Sequence, residues 1–426
     1  MYKFILLSAW FAFTSLGPVM AAISHEPVLT PEQSGQAVLT LDEAVTIAIA
    51  GDDPALERFD LRAAAREETA IADGQLADPR FSIAAQNLPI DSFDFNAQAM
   101  TQLRMGLRQE FPRGKTLRLK SEKRKAEAQG LRAGRATQRE DIALDVRFAW
   151  LELHLAQREL EITHRVKHEV NDLIDSLAES FSQGRMTGQN VLRAELELAL
   201  LDDRITELEQ RADRARAKLY RYIGDNAARP LPENLPDYVL LAPFAELQEK
   251  LAGHPRIARL NAQIDAQQFN VAIAKEAYKP AWALEGGYGV RGGGRTDFAS
   301  IGVSVSVPIF PGQRQDRRLS AARKNQNAIE FDRAKLLLEL RRELAQAYAD
   351  WTRYNDRIAL YDEAILMRAS ETVNASISAY GGGQSDFPEL IRSQLAELDV
   401  EASRLRLNVA RAKTYARIIY LTGDVK

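Results

Sequence analysis

The chain has 426 residues, 46% hydrophobic and 27% charged, with a formal net charge of −3 at pH 7. That balance suits a folded chain and excludes a nucleic-acid binder driven by bulk positive charge. There is no cysteine, so neither a disulfide framework nor the acceptor thiol of a lipoprotein is present. Residues 1–22 read as a secretory signal peptide: Lys3 precedes an apolar run from Phe4 to Val19, and Ala21-Ala22 supplies a small-residue cleavage site. The run is interrupted by Ser8, Thr14, Ser15, Gly17 and Pro18 and is short for a membrane span. An exported chain without a lipid anchor is expected, in the periplasm or outer membrane.

The mature chain is a tandem repeat. Asp53-Pro54 opens a helical pattern that closes at Asp78-Pro79, and His254-Pro255 opens one that closes at Lys279-Pro280; the matching prolines are 201 residues apart. Further on, Phe181-Ser-Gln-Gly184 matches Tyr380-Gly-Gly-Gly383 at an offset of 199. Residues 23–224 form the first unit and 254–426 the second, with a proline-rich linker at 225–253 that is expected to run along the outside.

Each unit reads as helix, strand pair, very long helix, tight turn, long helix. The first helix is expected over about Pro54 to Ala77, with proline at the position where a missing amide costs nothing. The first strand pair lies within 80–111, at about Arg80 to Pro89 and Ala99 to Phe111. The second lies within 281–309, at about Ala281 to Val290 and Ala299 to Ile309. In 103–111 and 301–309 every second residue is apolar apart from Gln109: Leu103, Met105, Leu107 and Phe111, then Ile301, Val303, Val305, Val307 and Ile309. The residues between them are charged, small or polar, apart from Pro308, so one face suits oil and the other water. That is the pattern of a membrane β-barrel wall. Trp282 and Tyr288 suit its interfacial positions. Arg104, Arg108, Glu110 and Glu285 are expected to line the pore.

The long helix spans about Lys115 to Phe181, roughly 100 Å. Its apolar residues follow a heptad through Ile142, Val146, Ala149, Leu153 and Ala156, which marks a coiled-coil seam. The returning helix keeps that rhythm from Val191 to Tyr222. Helix one and the return helix could stack end to end beside the long one, making each unit a rod two helices wide. The tips fall at 182–189 and 381–388.

Four membrane strands cannot close, and an open sheet edge in hydrocarbon leaves costly unpaired amides. Three copies supply twelve strands, within the known range of barrels. The expected fold is therefore mainly α with a small membrane β-sheet. Long antiparallel coiled-coil helices form an α-barrel, and four strands per chain contribute to a twelve-stranded trimeric β-barrel. The competing reading is a soluble periplasmic coiled-coil adaptor or scaffold whose strands form a small water-facing β-domain.

Over nearly the whole mature length the chain resembles the TolC-like outer-membrane efflux proteins. The resemblance is carried by Leu41-Asp-Glu-Ala-Val-Thr-Ile-Ala48, Asp53-Pro-Ala-Leu56, the paired strands, and the turns Phe181 to Leu192 and Tyr380 to Ile391. It implies a homotrimeric, non-enzymatic exit duct in the outer membrane, docked on a periplasmic adaptor and an inner-membrane RND-type pump. The stretch Gly383 to Ile391 looks most like the branch serving heavy-metal or cation resistance. Many relatives carry a lipidated cysteine, which this chain lacks.

The resemblance places adaptor docking at the tips, on Gly184, Arg185, Met186 and Thr187 and on Gly383, Gln384 and Ser385. It places a periplasmic aperture at Glu389, with Asn190 at the matching position of the first unit. Arg392, one turn on, can neutralise Glu389 as an i,i+3 pair. His164 and His168 are spaced i,i+4, which can bind metal, with His154 ten residues earlier; a solvated helix face is the plainer account, and no resident metal or cofactor is expected. The basic cluster Arg118, Lys120, Lys123, Arg124 and Lys125 reads as a solvated face or a headgroup contact.

Overall fold

Two X-Pro pairs start equivalent helices in this computed structural model, which describes residues 37–51, 53–182, 188–238 and 241–423. The expected signal peptide and the first-tip residues Gly184, Arg185, Met186 and Thr187 lie outside the described residues. After α1 (Leu41–Ala50), Asp53 caps α2 (Pro54–Asp73) by accepting the Ala55 amide at 2.7 Å. The helix ends four residues short of the expected Ala77. Gly74 turns the chain, and Pro79 disfavours a helical Asp78.

The strands are β1 (Arg80–Gln86), β2 (Gln102–Phe111), β3 (Ala281–Arg291) and β4 (Phe298–Ser306), in one antiparallel sheet of order β1-β2-β3-β4. β1 stops before Asn87, which is left-handed at φ 56°, and the Asn87 side chain donates to the Met100 carbonyl at 3.1 Å across the loop mouth. β4 stops short of Pro308, which has no amide for a ladder.

The remaining helices are α3 (Thr116–Ser182, 67 residues), α4 (Gly188–Ile223), α5 (Phe244–Lys250), α6 (Pro255–Glu276), α7 (Gln315–Leu360), α8 (Leu366–Gly381) and α9 (Phe387–Thr422). A π-helical turn, Tyr361–Ile365, joins α7 to α8, so the second long helix is interrupted where the first is not.

α2 and α4 both lie along α3. Ion pairs register them: Arg124–Asp73 at 2.8 Å and Arg135–Asp60 at 2.7 Å for α2, Lys218–Glu152 at 2.8 Å for α4. The units are not separate rods, however, because α3 also packs on α6 and α9. One helical layer results, ordered α2-α3-α6-α7 beside the sheet and α4-α3-α9-α8 toward the tips. This explains why α3 buries more than one heptad stripe. Trp150 and Leu151 are as buried as Val146 and Leu153.

The linker does not simply run along the outside. Leu231, Leu247 and Leu251 enter the two core clusters around the middle of α3, and burying side chains of this size contributes about 1.5–3 kcal/mol each. Arg229 anchors it to Glu43 at 2.8 Å.

Candidate membrane sheet and helical tips

The strand registers put the alternation of all four strands in phase. Phe81 and Ile83 face Leu107 and Met105; Leu103 and Phe111 face Val290 and Trp282; Trp282 and Leu284 face Val305 and Val303. One sheet face is therefore apolar across its width, with Gln109 and three small residues its exceptions. No helix covers it: Ile301 is 87% exposed and Phe81 65%. Trp282 stacks on Phe111 at 4.0 Å near the helical end, and the Tyr288 hydroxyl donates to Asp297 at 2.7 Å near the other. Six residues of strand separate these aromatics, about 20 Å, close to the ~25 Å height of an apolar barrel band.

The opposite face carries the expected pore residues. Arg108 pairs with Glu285 at 2.6 Å across β2 and β3 and lies 3.4 Å from Glu110. Arg104 lies over Gly287, where a Cβ would approach its guanidinium at 3.3 Å. A cavity of about 640 Å³ opens where this face meets the helices, lined by Arg108, Glu110, Ser304, Leu117 and Lys120 among others.

Both layers have free edges on the same two sides. β1 and α2 form one side, β4 and α7 the other, and no described strand pairs with the outer edge of β1 or β4. The outer helices keep large apolar side chains in the open, Leu61 and Ile71 on α2, Phe331 and Leu338 on α7.

At the second tip, Gly383 takes φ 67°, the left-handed conformation that glycine adopts without steric cost. Its amide donates to the Tyr380 carbonyl at 3.0 Å and that of Gln384 to the Ala379 carbonyl at 2.9 Å, which closes α8 in a Schellman motif. Ser385 and Gln384 lie exposed or half-exposed in the turn, and Asp386 restarts the chain by capping α9. Glu389 and Arg392 pair on the exposed first turn of α9. Asn190, Arg193, Phe387 and Arg392 line one groove of about 260 Å³ between the starts of α4 and α9. Asn190 and Arg392 are thus brought together, while Glu389 is not among the groove's lining residues.

The model of the family described as Outer membrane efflux protein matches residues 247–424. Solved structures with the same architecture include CusC (16% identity, TM-score 0.73, covering 90% of this chain and 92% of CusC). They also include the outer-membrane channel OprN (18%, 0.75, 90% of each chain) and VceC of Vibrio cholerae (16%, 0.73, 90% and 96%). The fold is that of the outer-membrane channels. A comparison of the sequence with curated proteins finds no match.

Within this channel fold the histidines stay apart. His154 is buried, stacked on Trp150 at 5.3 Å, with Nε2 at 3.2 Å from the Glu233 carbonyl, and burial holds its pKa below the ordinary value. His164 and His168 are exposed; His168 lies 3.3 Å from Asp172. Among the described residues no group of three His, Cys, Asp or Glu could hold a metal ion. Sequence reasoning missed Glu159. It is 1% exposed on α3, with Arg406 of α9 at 2.5 Å and Arg211 of α4 at 4.0 Å. Its one signal was a charge within the heptad core, Leu153-His-Leu-Ala-Gln-Arg-Glu159-Leu.

Proposed function

We propose that the protein is the outer-membrane exit duct of a tripartite efflux system, a homotrimer without catalytic activity. The observation that carries this reading is the sheet with one continuous uncovered apolar face and two unpaired edges, beside a helical layer with open apolar edges on the same two sides. Joining β4 of one copy to β1 of the next satisfies the edge amides, and the same step covers α2 of one copy with α7 of its neighbour. A head-to-tail contact of this kind gives a ring when the rotation per copy closes, and only a closed ring leaves no strand edge in hydrocarbon. Three copies give twelve strands, continued by a helical tube across the periplasm. The competing soluble adaptor would have to leave the apolar face in water, and an exposed patch of that extent marks an interaction surface.

In this duct Arg104, Arg108, Glu110 and Glu285 set the field of the barrel lumen. The tips near Gly184 and Gly383, with Gln384 and Ser385, receive the adaptor, which delivers cargo from an inner-membrane RND-type pump. Glu389, tempered by Arg392 and joined by Asn190, lines the periplasmic mouth. The likeness of Gly383 to Ile391 to the heavy-metal branch favours cations as cargo.

The test is to fractionate cells and run outer-membrane samples with and without heating. A heat-dissociable species of three times the monomer mass that conducts in planar bilayers is expected; recovery as a soluble periplasmic monomer would sink the proposal. Deleting the neighbouring pump and measuring resistance to metal salts and to organic toxins then identifies the cargo.

A further inference from the structure

Basic residues recur at the starts of both long helices at one offset. Lys115, Arg118 and Lys125 in the first copy correspond to Arg314, Arg317 and Lys324 in the second, each pair 199 residues apart. All six are exposed. Residues 112–125 hold seven basic residues against Glu122 alone, and 311–324 hold five against Asp316 alone, in a chain whose net charge is −3. The positive end of the helix dipole disfavours cations there, and α3 has no acidic residue in its first turn. Helix stability therefore does not account for the recurrence.

Part of the charge is spoken for. Arg124 is held by Asp73 and Glu127, Lys125 lies 3.0 Å from Glu122, Asp316 accepts from Tyr278, and Arg317 bonds Gln313. Arg118, Arg314 and Lys324 have no carboxylate within ion-pair distance among the described residues.

Their position selects the partner. Leu117 and Lys120 mark the face of α3 turned to the cavity below the polar sheet face. Arg118 and Lys125 lie about a third of a turn round the helix from that face, so they do not turn into the cavity. The repeat places Arg317 and Lys324 alike on α7. The stacked pair Phe111–Trp282 closes the helical end of the apolar band, and Phe111 precedes Lys115 by only four residues. Oil, then aromatic, then unpaired cation is the order of a bilayer's edge, and the long side chains can lift their charges toward it.

We infer that this belt binds anionic phospholipid headgroups of the leaflet on the helical side, seating the barrel at a fixed depth. The inference rests on the membrane reading above and adds the lipid class. The full chain, purified in detergent, would be mixed with phosphatidylcholine vesicles with or without phosphatidylglycerol and floated at low and high salt. About tenfold stronger recovery on the anionic vesicles at low salt is expected, fading at high salt. The triple variant Arg118→Gln, Arg317→Gln, Lys324→Gln should float equally on both, and Lys120→Gln should keep the preference. Equal recovery of the unaltered protein on the two vesicles, a preference that survives the triple variant, or competition by soluble glycerol phosphate as effective as by lipid overturns the inference. Flotation on neither vesicle overturns the membrane reading itself.

Discussion

Asp53 and Arg221 form a two-pronged ion pair, at 2.8 and 3.3 Å, that ties the cap of α2 to the last turn of α4. The Asp53 carboxylate is only 7% exposed and also accepts the Ala55 amide. The Arg221 hydrogen bond holds its pKa below the usual carboxylate range. Replacing Asp53 by Ala removes cap and pair together and should cost about 1–2 kcal/mol. The cost should be fully present above the ordinary carboxylate pKa and fade as pH falls through the lowered folded value. Melting temperature against pH, variant beside unaltered protein, reads both.

In the second copy the same two places hold His254 and Tyr420. His254 Nδ1 accepts the Arg256 amide at 3.2 Å, and the ring meets Tyr420 edge-on at 5.3 Å. Burial pushes its pKa down from 6.5 to about 4. The unfolded chain therefore takes up the proton first, and stability should fall as pH drops from about 6.5 toward 4, by on the order of 3 kcal/mol. His254→Asn keeps a capping side chain without the titration, so its stability curve should be flatter in that window. An unchanged slope in the variant would remove His254 as the cause.

Val303 and Ser304 are neighbours on opposite faces of β4. Val303→Lys sets a charge on the apolar face and should cost about 2–4 kcal/mol of membrane stability per chain. Ser304→Lys points to the side of Glu285, which the Ser304 hydroxyl already approaches at 3.4 Å, and should insert normally. Heat-dissociable trimer in outer-membrane fractions is the readout.

Gly383 has nothing within 4 Å of an added Cβ, so its strain comes from φ alone. Gly383→Val should cost about 1–2 kcal/mol locally and leave trimer content intact. If the tip docks an adaptor, pump-dependent resistance should fall while the trimer persists. Trimer and resistance lost together would make the turn a folding element instead.

Much of this architecture was legible because each strand face sees one environment. Leu103 to Phe111 and Ile301 to Val305 therefore alternate almost without exception, and Pro54 and Pro255 mark the helix starts. What was not legible depends on neighbours distant in sequence. The heptad through Ile142 and Val146 identifies one seam, but α3 touches helices on several sides, so Trp150 and His154 are buried as well. Leu231 and Leu251 sit in a stretch whose prolines suggest an exposed linker, yet they complete the core. The π turn has no sequence signature, since Leu360-Tyr-Asp-Glu-Ala-Ile-Leu366 contains neither glycine nor proline.

That turn separates two properties the duplication began with in common. The first long helix has 67 residues, and the second reaches the same number through its 46, 5 and 16 residue parts. Thr116–Ser182 and Gln315–Gly381 therefore stay in step at one offset of 199 residues from start to end. The wider turn at Tyr361–Ile365, however, changes the rotational phase of the side chains that follow it in α8 relative to those of α7. In the proposed trimer the two long helical arms of each chain would therefore match in residue number but present differently phased side chains to their neighbours.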